Sequence, residues 1–360
     1  MKVVIVGAGA AGLGVGWRLR QAGAEVTVLE RGQPGRGATW ASAGMIAPTA
    51  EAGEDETPET RFAHYSSGLW PGFAAELEDK SGSAVRYVRC GSLICAGDEA
   101  EATALKGRGE WLDSAKARDL EPMLTPSIVG ALWLPDEAQV DNRALGRALP
   151  AAFVAAEGTL QANEAVVRFE TDGNRVTGAL TQFGLYEADA FVLAAGAWSG
   201  LFEGLPPSVL PPVSPVKGEM ISLLPPKGER LPTRMVRGGH VYLVPRGDRL
   251  LVGATMTDAG FDTRLTAEAE QSLFDGAMAL MPDLARWPVA EHWAGLRPGS
   301  PDGLPILGRA SVEGLFVASG QFRNGILLAP AVAEVLTALV MGRMPAANTS
   351  AFDPRRFACG

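Results

Sequence analysis

Cysteine and histidine are scarce in this chain, with three of each in 360 residues. Cys90, Cys95 and Cys359 are too few, and odd in number, for a disulfide framework. No nearby cysteine or histidine completes a zinc site with Cys90 and Cys95, so a metalloenzyme is not expected. Basic runs are also missing. Against 32 Lys and Arg stand 41 Asp and Glu, a net charge of −9, which argues against nucleic acid and anionic membrane surfaces as partners. Long apolar runs are lacking too. Met1–Val6 is too short for a signal peptide, and the most apolar stretch, 326–341, contains Pro330 and Glu334. The expectation is a soluble cytoplasmic protein without membrane insertion.

What is present is ordinary globular material, 47% hydrophobic and 20% charged. The length approaches the limit for one core, so two domains are expected. Val3–Val6 reads as a buried strand, 9–22 as a helix and 25–29 as the next strand, together one βαβ unit. Residues 51–59 carry five acids in nine positions and read as a mobile surface loop. Residues 206–215 hold five prolines in ten and read as a stiff linker between domains. Short strand-like runs at 219–223, 241–244 and 249–253 suggest an antiparallel sheet, followed by a helix over 267–281. A strand at 315–318 and a helix over 326–341 close the chain. The βα texture at 1–35, 186–200 and 314–342 predicts one nucleotide domain assembled from separated segments, with a second domain inserted.

Gly7-Ala8-Gly9-Ala10-Ala11-Gly12 is G-x-G-x-x-G, placed between a strand and a helix as dinucleotide binding requires. Gly7 permits the tight turn, Gly9 admits a pyrophosphate to the backbone, and Gly12 and Gly16 let the helix lie close to the sheet. The helix N-terminus offers free N–H groups to phosphates. Glu30, at the end of the second strand, suits ribose hydroxyls and disfavours NADP. NAD and FAD remain. The early motif, the small residues of 189–198 and the late strand, turn and helix of 314–328 favour FAD. In particular, N–H groups at Gly325-Ile326-Leu327-Leu328 could stabilise negative charge on a reduced flavin.

At this level of detail the sequence resembles the D-amino-acid oxidase superfamily of flavoenzymes, and within it the glycine oxidase family. The resemblance covers nearly the whole chain. It is densest in 37–48 (GATWASAGMIAP), 215–219 (PVKGE), 240–256 (HVYLVPRGDRLLVGATM), 293–303 (WAGLRPGSPDG) and 319–330 (SGQFRNGILLAP). The fold it implies is α/β, an FAD-binding Rossmann-like domain of glutathione-reductase type plus a substrate domain on a mostly antiparallel β-sheet. The expected segments are 1–85, 146–213 and 292–360 for FAD, and 86–145 and 214–291 for substrate.

Carried over by position, Arg297 matches the arginine that grips the substrate carboxylate through two parallel bonds. Tyr242 matches the tyrosine whose hydroxyl joins it, although a strand Tyr is more often packing. His240 lines the pocket or is a satisfied histidine, and Met256 covers flavin or substrate or is plain core. Arg323 draws in anionic substrate or caps the turn. For the cofactor, the resemblance adds Arg31, Thr39, Ala41, Ser42, Ala43, Gly44 and Met45 to Gly7, Gly9, Ala10, Ala11, Gly12 and Glu30. It further adds Val166, Ala195, Gly196, Trp198, Arg297, Arg323, Asn324, Gly325, Ile326, Leu327 and Leu328.

Some relatives attach flavin to a late cysteine. None lies between 96 and 358 here, so the FAD is expected to be non-covalent. Lysine, which such relatives use to assist oxygen, is absent after Gly228. The implied reaction is oxidative deamination of glycine, sarcosine or a small D-amino acid by hydride transfer to flavin N5. Molecular oxygen is the expected acceptor, giving peroxide, an imine or 2-oxo acid, and ammonia, with a link to thiamine thiazole synthesis. Homo-oligomers are common in such families. Three other readings stand beside this one: a dehydrogenase passing electrons to a quinone or carrier, an NAD-dependent hydroxy-acid dehydrogenase, and a nucleotide-binding protein without turnover.

Overall fold

A computed structural model describes residues 1–51 and 56–357. The apolar run Lys2–Val6 is a central strand, buried on both faces from Val3 onward, as expected in a parallel sheet covered by helices. Its sheet has six strands in the order Ile306–Arg309, Leu315–Ser319, Ala190–Leu193, Lys2–Val6, Glu25–Glu30, Thr159–Ala162. Every neighbouring pair is parallel except the first. Segments far apart in sequence thus build one sheet, as the repeated βα texture implied. Helix Ala10–Gln21 buries Leu13, Val15, Trp17 and Leu19 against helices Asn142–Ala155 and Ala329–Val340. A three-stranded antiparallel sheet, Val166–Asp172, Arg175–Thr181 and Leu185–Glu187, closes the other face through Phe169, Val176 and Phe191.

The second large sheet has eight strands. Their order is Val289–Gly299, Ser214–Leu223, Arg249–Gly253, Val241–Arg246, Met235–Gly238, Ser92–Ala96, Gly130–Leu134, Glu110–Asp113. All pairings are antiparallel save Met235–Gly238 with Ser92–Ala96. Helix Ala267–Leu280 packs on one face with Leu273 and Ala277. The opposite face carries Met220, Val244, Leu251 and Trp293 against Trp40 and Ala43, joining this sheet to the first. Two of the expected segment boundaries, 145/146 and 291/292, fall inside the helix Asn142–Ala155 and the strand Val289–Gly299.

The structure corrects two local expectations. The late helix begins at Ala329, not Ile326. The Ser66 hydroxyl donates to Leu327 O (2.7 Å) and accepts from Ala331 N (3.3 Å), standing between two groups a helix would pair. Pro330 has no N–H, so Ile326 O takes Ala329 N instead (3.1 Å). The acidic stretch 51–59 is not all loop either, since Pro58–Ser81 is a helix. Thr57 and Thr60 cap it reciprocally, with Pro58 in the first turn, where its missing N–H costs nothing. Residues 52–55 of that expected loop lie outside the described residues, as does Cys359. Cys90 and Cys95 are free thiols.

Candidate active site

A cavity of about 830 Å³ runs from the first sheet's glycine loop to the inner face of the second sheet. At the loop end, the three motif glycines do different work. Gly7 has φ +106°, and a Cβ there would lie 2.4 Å from Ala194 O. A Cβ at Gly12 would lie 2.0 Å from Gly7 O, so this glycine holds the helix close to the strand and does not line the cavity. At Gly9 a Cβ would meet only Thr39 Oγ1, at 3.6 Å. The protein itself leaves that space open, so the demand for glycine there comes from whatever approaches the loop. Gly9 caps helix Ala10–Gln21 without a side chain, and Ala10 N donates to Thr39 Oγ1 (2.9 Å). The Ala11 and Gly12 N–H groups have no partner among the described residues. An open cradle with unpaired N–H groups at a helix N-terminus suits a pyrophosphate.

Glu30 is already engaged, accepting from Ala8 N (2.8 Å) and Gly32 N (2.9 Å), so it braces the loop while lining the cavity. Arg31 lies 3.4 Å over the Trp198 ring, and burial lowers its pKa despite the neighbouring Glu30. Ala195, Gly196, Trp198 and Val166 line the same end. The segment 37–48 is clamped from helix Asn142–Ala155 and from the second sheet. Asn142 Nδ2 donates to Thr39 O (3.1 Å) and Trp40 O (2.7 Å), Arg246 Nη2 to Ala43 O (2.6 Å) and Trp293 Nε1 to Ala41 O (2.9 Å). Thr39, Ala41, Ser42, Ala43, Gly44 and Met45 therefore form a fixed wall. Across the cavity, Asn324, Gly325, Ile326 and Leu327 line the turn before the last long helix. The N–H groups of Gly325, Ile326 and Leu327 donate to no described residue. They form a fan of donors fit for a flavin carbonyl. Leu328 is fully buried beneath them and does not reach the cavity.

The inner sheet supplies the other end. Arg297 stands on strand Val289–Gly299, beside Gly218 on strand Ser214–Leu223. Its guanidinium donates to Thr255 O (3.1 Å) and Lys217 O (3.4 Å). No described carboxylate lies within ion-pair distance of it. Burial lowers its pKa, yet a guanidinium stays charged at any pH an enzyme meets. Among the described residues, the cavity thus holds a buried cation with no carboxylate in direct contact with it. Tyr242, on strand Val241–Arg246, packs its ring where a Cβ of Gly253 would stand 2.5 Å away, and its hydroxyl lies 3.8 Å from Met220 Sδ. Burial raises the phenol above its ordinary value, with Arg297 pulling the other way, so at neutral pH it remains a donor.

The remaining expected residues are placed differently. His240 sits in the turn before its strand, not on it, and is exposed. Its Nε2 lies 3.1 Å from Ser272 O and 3.2 Å from Ser272 Oγ. Met256 lines the cavity but is 63% exposed, so it is not core. Arg323 lines the cavity and pairs with Glu51, which also binds Arg237 Nη1 (2.7 Å). Sequence reasoning missed Glu51, Gly218, Met220, Arg237 and Thr255 as cavity residues. The quoted PVKGE stretch contained a signal for Gly218, a glycine in mid-strand between two charges. Arg237 gave none, because only the sheet order brings it to the cavity.

With this geometry in place, the relatives are informative. Residues 2–339 match the family described as DAO, FAD dependent oxidoreductase. The glycine oxidase of Pseudomonas putida is 36% identical over 98% of this chain and 98% of its own. The bifunctional protein ThiO/ThiG of Trichormus variabilis is 37% identical over 99% of this chain and 55% of its own length, so the chain spans about half the length of curated relatives of that kind. The crystal structure of glycine oxidase from Geobacillus kaustophilus superposes with a TM-score of 0.93 at 33% identity, over 98% of both chains. The open glycine cradle and the unpaired N–H groups are what an FAD site requires, and this chain belongs to the DAO family of FAD-dependent oxidoreductases.

Proposed function

We propose that the protein oxidises a small amino acid, glycine or a close relative such as sarcosine or a small D-amino acid, with molecular oxygen as final acceptor. The observation that carries this is Arg297, a buried guanidinium facing the cavity with two backbone carbonyls and, among the described residues, no carboxylate within ion-pair distance. Charge buried without a partner is costly, and a ligand carboxylate supplies the partner in bidentate form. The neutral Tyr242 hydroxyl lies in the same charged environment and donates to the same carboxylate. Together they fix the amino acid by one end and leave its Cα directed into the cavity, so that positioning provides much of the rate. FAD, held without a covalent link by the Gly7–Gly12 loop, the 39–45 wall and the Gly325–Leu327 turn, supplies the hydride acceptor when bound. Met220, buried, and the 41–45 wall line this part of the cavity and would shield bound substrate from water.

The five-segment division into FAD and substrate domains belongs to this reading, as does a cytoplasmic location. No helix among the described residues is long and apolar enough to cross a membrane. Relatives bearing the names glycine oxidase and ThiO/ThiG support the substrate class, the oxygen acceptor and a link to thiamine synthesis. The test is an arginine series. Arg297→Lys keeps the charge but loses the two-pronged bond, and Arg297→Ala loses both. KM for carboxylate substrates should rise in that order, by roughly 100-fold or more for alanine. An unchanged KM in Arg297→Ala would remove the carboxylate assignment.

A further inference from the structure

One buried side chain of the cavity has no partner among the described residues. Gln321 lines the cavity and is 6% exposed, yet its Nε2 hydrogen-bonds none of them. No other cavity residue has a buried side-chain donor or acceptor left in this way. A buried amide N–H is costly to leave unpaired, so it marks a place where a ligand supplies the acceptor. The backbone fixes where this amide stands. Gly320 (φ +68°) and Phe322 (φ +45°) both take the left-handed region, which a phenylalanine adopts only at a cost. Phe322 N donates to the carbonyl of Pro298, the residue after Arg297 (3.1 Å), and Gln321 O accepts from Asn324 N (2.8 Å). A Cβ on Gly325 would stand 3.9 Å from Gln321 Cβ. Gln321 is thus held between the Arg297 strand and the Gly325–Leu327 turn, whose N–H groups donate to no described residue.

Gln321 therefore sets a side-chain donor beside three backbone donors. All four are neutral groups that do not titrate at any working pH. They favour negative charge on a ligand without bringing a counter-charge of their own. A flavin develops that charge along its N1 and C2-carbonyl edge as it is reduced, and preset donors stabilise it there. We propose that Gln321 Nε2 completes this group of donors, hydrogen-bonds the carbonyl edge of the bound flavin, and tunes how readily the flavin is reduced. This rests on the flavin lying against the Gly325–Leu327 turn, as the proposed function has it, and goes beyond it. The turn holds the cofactor, whereas one side chain adjusts its redox poise. Arg297 acts on the substrate and Gln321 on the hydride acceptor, so the two residues have separable effects.

The test needs no turnover. Sulfite bonds through sulfur to flavin N5, and its electron pair leaves negative charge on the ring, so its Kd reports how well that charge is stabilised. The FAD-loaded wild type and Gln321→Met, which keeps the length and loses the donor, are titrated with sulfite and with acetate, and their flavin midpoint potentials are measured. In Gln321→Met the sulfite Kd should rise about 10-fold and the potential should fall, since a hydrogen bond to a charged group is lost. The acetate Kd, set at Arg297, and the melting temperature of the flavin-stripped protein should match wild type. A sulfite Kd and a potential that both stay put overturn the proposal. So does a variant in which only acetate binding moves, because Gln321 would then serve the substrate. Gln321→Leu is read in the same way if Gln321→Met does not fold. A variant that loses FAD while its stripped form melts as wild type supports the flavin contact, and one whose stripped form melts lower overturns it in favour of a structural role. Failure of the proposed function shows separately, as a wild-type flavin that no amino acid bleaches, and leaves the sulfite and potential readings intact.

Discussion

At the residue scale the central fact is how Arg297 is held. Gly218 leaves the space it occupies, since a Cβ there would stand 2.3 Å from Nη1. Behind Gly218 the same strand carries a buried ion pair, Lys217 Nζ to Glu219 Oε1 at 2.8 Å, both side chains nearly inaccessible. Burial alone would raise the Glu219 carboxyl, but its bonds from Lys217 and Thr266 outweigh that and hold it low. The strand is therefore pinned on one face and the guanidinium rests on the other. Gly218→Ala should displace the guanidinium rather than the strand. We expect KM for carboxylate substrates to rise by about 10-fold or more with a melting temperature close to wild type, checked by steady-state kinetics and thermal melting. A variant with normal KM would mean that the arginine's position does not matter. Arg297 and Tyr242 were legible in the sequence because motifs carry residue types. Gly218 and Arg237 were not read, because their roles depend on which strands become neighbours.

At the element scale, the first βαβ unit was readable almost to the residue. Its helix begins at Ala10 and ends at Gln21, within a residue of expectation, because glycines mark both ends. The last helix was misplaced by three residues, because its start is decided by Ser66 and Trp70, more than 250 positions away in sequence. No local pattern contains that information. The glycine loop yields a paired test. Gly9→Ala fills a space that the protein leaves empty, so FAD retention should fall while the flavin-stripped protein melts as wild type. Gly12→Ala drives a Cβ into Gly7 O at 2.0 Å, so the flavin-stripped protein itself should melt lower. Equal losses of flavin and stability in both variants would contradict the division of roles.

At the scale of the whole molecule, a buried acid just after strand Gly130–Leu134 of the second sheet holds the segment that follows the cavity wall. Glu137 is 2% exposed, and its Oε1 accepts from Ala50 N at 2.7 Å. Burial raises its pKa from 4.5 to about 7, outweighing the hydrogen bonds that lower it. The folded state therefore holds a proton that the unfolded chain releases above pH 4.5. The stability from this group is complete below that pH and is lost as pH rises through about 7. Glu137→Gln should remove that dependence, so that the variant gains on wild type as pH rises from about 4.5 to about 7, as read by melting temperature. An unchanged difference across that range would place the Glu137 pKa elsewhere. The assembly of separated segments into one sheet was foreseen from texture alone. The sheet order and the meeting of Glu51, Arg237 and Arg323 were not, since long-range register is written in packing rather than in local pattern.

The central claim is that a carboxylate-anchored amino acid gives up a hydride in this cavity. Its most direct test is an anaerobic titration of the purified protein with glycine, sarcosine, D-alanine, D-proline and L-proline in turn, followed by admission of air and a peroxide assay. The expected result is loss of the visible flavin band with at least one of them, and its return with peroxide in air. A yellow protein whose flavin none of these amino acids bleaches would contradict the account.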